Sequence, residues 1–117
     1  MEVNKCIGKL FHARDVAHLF HLKTNSYAAH KASNEFYDSI LDLTDSLIES
    51  YQGKNGIISL MIPASYTETS TDLIAYLKEL LTCLETECPF KDSDELNIID
   101  EIKSLIKQTL YKLTYLK

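Results

Sequence analysis

The 117-residue chain is poor in the residues that break regular structure: it has 3 glycines and 2 prolines. An all-β fold needs a turn every ~10 residues, so this scarcity excludes that class and favours a few long helices. Arginine is nearly absent, with Arg14 as the one example, and acidic residues outnumber basic ones by 17 to 12 for a net charge of −5. The lysines are spread along the chain with no basic tail at either end, which disfavours nucleic acid as a partner. No apolar run approaches the ~18 residues of a membrane span, and the opening Met1–Cys6 stretch lacks the apolar core of a secretory signal. Cysteine is limited to Cys6, Cys83 and Cys88, an odd number without a C-x-x-C motif. Such thiols read as small apolar core residues of a reduced, cytoplasmic protein, in the host cytoplasm if the source is viral. The phosphate-cradling motif G-x-x-x-x-G-K-[ST], the G-x-G-x-x-G fingerprint, the G-x-S-x-G elbow and Glu-x-x-His are all missing.

What is present is helical periodicity. A first helix is expected from about Asn4 to Lys23, with Cys6, Ile7, Leu10, Ala13, Val16, Ala17 and Phe20 on one stripe. A second begins after Thr24-Asn25-Ser26, a group of good N-cap residues, and runs to about Gln52, with Gly53 as the stop. Its stripe includes Phe36, Tyr37, Ile40, Thr44, Leu47, Ile48 and Tyr51. A third spans roughly Ser70 to Glu87, ended by Pro89. The fourth opens at Asp92, with Glu95 completing a capping box, and runs through Leu116. Between the second and third lies Gly53–Thr69, with the apolar string Ile57-Ile58-Ser59-Leu60-Met61-Ile62, expected to lie against the bundle or form an interface. The whole reads as one domain over 1–117: an all-α, antiparallel four-helix bundle with a long crossover connection between helices 2 and 3.

Chemistry concentrates near the first turn. His18 and His30 are 12 residues apart with the turn between them, so a folded-back helix pair sets both at one level. Imidazole nitrogens suit iron, zinc and other divalent metals. Asp45 and Glu49 stand at i and i+4 and share a helix face, and Asp45 points to within about 60° of His30 around the second helix. Along that helix, however, the two are ~22 Å apart. One chain cannot bring them to one ion. Two chains paired about a two-fold axis near Tyr37 can, each site taking two histidines from one copy and two carboxylates from the other. His12 and His21 receive no role, His21 being expected to pack near the turn.

The pattern His18-x11-His30-x14-Asp45-x3-Glu49 resembles the ferroxidase signature of the Dps-type mini-ferritins. The likeness extends to His21-Leu22-Lys23, Phe36-Tyr37, Asp45-Ser46-Leu47-Ile48-Glu49-Ser50 and Asp92-Ser93-Asp94-Glu95. The resemblance implies a ferritin-like fold and iron ligation by His18, His30, Asp45 and Glu49 between subunits. It implies oxidation of Fe(II) by peroxide or oxygen in a homo-oligomer. The chain departs from the family at Asn34, where a further carboxylate is usual, with Glu35 adjacent but rotated, and at Leu19, where an aromatic residue is usual. The Lys-rich DNA-binding tail is absent, so a DNA-coating role is not carried over. The alternative is a ferritin-like helical adaptor or structural oligomer without the metal chemistry, working through contacts of the apolar 57–62 segment.

Overall fold

The computed structural model describes residues 1–60 and 72–117. Among these there are four helices, α1 (Val3–Lys23), α2 (Tyr27–Asn55), α3 (Leu73–Thr86) and α4 (Ser93–Tyr115), and no strand. Periodicity predicts all four, and burial follows it. Cys6, Ile7, Leu10, Ala13 and Ala17 of α1 meet Phe36, Ile40 and Leu47 of α2, Leu73, Leu77 and Leu84 of α3, and Ile99, Ile102 and Ile106 of α4 in one core. Burying a side chain of this size contributes about 1.5–3 kcal/mol, so the shared core is the main force holding the helices together.

In the packing, α2 lies against α1 and α4, and α3 lies against α4 and α1. Two ion pairs set the register of α2 on α4. Lys54, near the end of α2, meets Asp92 at 2.8 Å, and Glu35, near its start, meets Lys112 at 2.7 Å. The end of α4 therefore lies beside the beginning of α2. Both pairs are solvent-exposed, so they align the helices more than they stabilise them.

Local chemistry explains the helix ends. The Ser26 hydroxyl accepts from the Ala29 N–H, and the Asp72 carboxylate accepts from the Ala75 N–H, each at 3.2 Å. Three boundary expectations need correction. First, α2 does not stop at Gly53; it continues to Asn55, and Gly56 is the cap. Gly56 has φ 86°, a conformation costly for any residue with a Cβ, and its N–H bonds the Gln52 carbonyl. Second, the Asp92–Glu95 capping box forms only in half. The Asp92 N–H donates to the Glu95 carboxylate, whereas the Asp92 side chain makes no cap bond and turns to Lys54 instead. Third, in the described part of the apolar string, residues 57–60, not every apolar side chain lies against the bundle. Ile58 packs on the core and its N–H bonds the Gln52 side chain, but Ile57 is 87% exposed and Leu60 43%. Met61, Ile62 and the rest of the expected crossover through Thr69, with Ser70 at the expected start of helix 3, lie outside the described residues.

Candidate functional site at the α1–α2 turn

The three-residue turn at Thr24–Ser26 brings the last turns of α1 against the first turns of α2. There, His21 and His30 clasp each other. His21 Nδ1 lies 2.7 Å from the His30 carbonyl oxygen, and His30 Nδ1 lies 2.8 Å from the His21 carbonyl oxygen. A carbonyl can only accept, so each Nδ1 carries the proton and donates. The two rings stack with centroids 3.6 Å apart and planes 20° from parallel. Fixing Nδ1–H leaves each neutral ring with a bare Nε2, the arrangement in which histidines commonly ligate metals.

His18 stands one helical turn before His21, with their ring centroids 6.2 Å apart. It stacks on Tyr37 at 4.5 Å, and Tyr37 meets His21 edge-on at 5.4 Å. Tyr27 lies over His30 at 6.4 Å, with the Lys31 ammonium 5.7 Å from the Tyr27 ring. His18, His21, His30 and Tyr37 are all half-buried, so the cluster is packed on one side and reachable from the other. Of the four residues singled out from the sequence, His18 and His30 thus belong to one aromatic cluster, linked through His21. Asp45 and Glu49 are exposed on the second half of α2, ~22 Å and ~28 Å from His30 along the helix axis.

The sequence reading missed the part His21 plays. The usable signal was its place: His21 and His30 sit nearly equidistant from the turn centre, whereas His18 is a turn further back. The departure at Asn34 also has a definite outcome. The Asn34 side-chain oxygen accepts from the Tyr37 hydroxyl at 2.6 Å, so it is engaged within its own helix. Glu35 offers no substitute carboxylate here. It is held by Lys112 of α4, whose ammonium keeps the Glu35 carboxyl below its ordinary range. Among the described residues no three His, Cys, Asp or Glu side chains gather as a metal site. Any centre that used both His18–His30 and Asp45–Glu49 would need a second copy, as their separation on α2 requires.

Two other groups have settled roles. His12 shares a 2.6 Å hydrogen bond with the Tyr76 hydroxyl and joins α1 to α3. Burial lowers the His12 pKa and raises that of Tyr76, with Glu79 and Asp15 adding to the latter. Cys6 lies in the core, where burial, followed by neighbouring Cys88 and Cys83, pushes its thiol up to about 12. That thiol is inert at neutral pH. Cys83 and Cys88 are half-buried.

Fold and site together define an all-helical protein with a histidine–tyrosine cluster at one helix junction and an exposed acidic stretch on the same long helix. No helix among the described residues is long and apolar enough to cross a membrane. The chain belongs to the Family of unknown function (DUF5856), whose profile matches residues 21–113. That range takes in His21, His30, Asp45 and Glu49 and leaves His18 outside. Neither a curated protein nor a solved structure matches the chain.

Proposed function

We propose that the protein is an antiparallel, ferritin-like helical oligomer that binds iron at sites shared between two copies and oxidises Fe(II), in the manner of the Dps-type mini-ferritins it resembles. Each site would take imidazole nitrogens from His18 and His30 of one copy and carboxylates from Asp45 and Glu49 of the other. The supporting observation is the tie between His30 Nδ1 and the His21 carbonyl at 2.8 Å, which frees Nε2 of a half-buried ring for a cation. Charge distribution agrees with this pairing. From Val16 through Asn34 the chain has no Asp or Glu, while Asp38, Asp42, Asp45 and Glu49 are exposed further along α2. A two-fold pairing about Tyr37 sets the acid-free end of each copy beside the acidic stretch of the other. Nitrogen and anionic oxygen donors together suit Fe(II), the cargo and substrate of the reaction.

The test is Fe(II) binding and oxidation by wild type, His30→Ala, Glu49→Ala, and an equimolar mixture of the two variants. Each variant alone loses the activity. The mixture recovers about a quarter of it, because mixed pairs form half of all pairs and keep one intact site of two. Full activity in either single variant overturns the proposal.

A second reading is a helical adaptor without metal chemistry, in which the exposed Ile57 and Leu60 contact another protein. Wild-type protein that neither binds nor oxidises Fe(II) favours it.

A further inference from the structure

Helix α4 has a complete inner face and, among the described residues, an unpartnered outer one. Ile99, Ile102, Ile106 and Leu113 point into the core, and α2 and α3 flank the helix. Away from the core, Leu96, Asp100, Lys103, Ser104, Lys107 and Tyr111 fall within an arc of about 100°, centred about 120° from the core stripe. Leu96 and Tyr111 are large and apolar yet 36% and 55% exposed, and the Asp100 side chain is 72% exposed. Asp100 makes a loose 3.9 Å contact with Lys103, and Lys107 has no acidic partner among the described residues.

Charge along this face is divided. Within the arc the one acid, Asp100, comes first and the bases Lys103 and Lys107 follow, and from Ile102 onward α4 has no acid. A helix acidic at one end and basic at the other is complementary to itself when reversed. The register is specific. With a two-fold axis passing between Lys103 and Ser104, Asp100 of one copy faces Lys107 of the second, and Leu96 faces Tyr111. Both contacts occur twice by symmetry, and all four residues lie on the outward arc. Shifting this register by one residue rotates the pairing residues by about 100° and breaks both contacts.

We infer that the outer face of α4 is a docking surface for a second copy of this chain, paired antiparallel through Asp100–Lys107 and Leu96–Tyr111. The surface is remote in sequence from the α1–α2 residues used by the proposed iron site and stands or falls separately from it. One helix pair buries less than a standard interface of roughly 1,600 Å², so the association is weak and concentration-dependent.

The experiment is sedimentation velocity across micromolar concentrations, with circular dichroism to verify folding. The proteins are wild type, Asp100→Lys, Lys107→Asp, the double charge swap, and an equimolar mixture of the two single variants. Wild type associates. Each single variant associates at least about tenfold more weakly, since it places like charges opposite each other twice. The double swap and the mixture both regain wild-type association, because each restores two opposite-charge pairs. Monomeric wild type, or folded single variants that associate as wild type does, would overturn the inference. So would a folded double swap and mixture that fail to recover. Association unaffected by every α4 variant assigns the self-contact to another surface, such as the α1–α2 face.

Discussion

The turn joining α1 to α2 and the turn joining α3 to α4 are closed by different chemistry. At the second, Phe90 is 4% exposed, fills the end of the core and meets the Tyr51 ring edge-on at 5.8 Å. At the first, the corresponding plug is a pair of half-buried imidazoles held by two hydrogen bonds. An apolar ring returns more stability for its volume, because imidazole must be desolvated before it bonds. A turn closed by histidines, where a phenylalanine would hold more firmly, keeps polar ring nitrogens where packing alone would not need them.

Three substitutions sharpen or break that contrast. Phe90→Ala should cost the most, about 3–5 kcal/mol, since it opens a cavity at the end of the core. Urea unfolding measures it, and a loss below that of His21→Ala would reverse the comparison. His21→Ala should cost about 1–2 kcal/mol, for one lost hydrogen bond and a lost ring stack. Amide exchange should accelerate around residues 20–32 while the α3–α4 turn stays protected.

Glu95→Gln should have the smallest effect on stability and a distinct pH signature. Burial, then the charges of Asp92 and Asp94, raise the Glu95 pKa in the folded protein. A carboxyl with a raised folded pKa binds its proton more tightly when folded. Its stabilising contribution is present below the unfolded value of 4.5 and is lost as pH rises through the folded pKa. Glutamine keeps the acceptor for the Asp92 N–H without the charge. The variant should therefore melt at or slightly above the wild-type temperature at pH 7, and its melting temperature should depend less on pH just above 4.5. An unchanged pH profile would remove Glu95 from the account of the α3–α4 turn.

The helices were legible in the sequence because the apolar period is strong over long spans. Ile99, Ile102, Ile106 and Leu113 repeat at helical spacing, and the fold buries them all. Ends were less legible because several residues can do the same work. Gly53 and Gly56 are both plausible stops, and which one takes positive φ depends on where the Gln52 carbonyl finds its donor. Asp92 has the right identity for a cap, but a lysine 38 residues earlier competes for its carboxylate. The same limit applies to the site. Spacing marks His18 and His30 as neighbours, yet the clasp runs through His21, because the turn centre moves the level of contact by about one helical turn. Asn34 and Glu35 could not be ranked without knowing that Tyr37 and Lys112 engage them.

The length of α2 has a consequence of its own. At 29 residues it extends ~43 Å, matching the 43 Å long dimension of the molecule, so it acts as a ruler laid end to end. His30 is marked near one end of that ruler and Asp45 about two-thirds of the way along, with no break in the scale between them. On the proposed pairing, whatever ion is captured is captured in twos, at stations set apart by rigid backbone, and the stoichiometry per pair of chains is even.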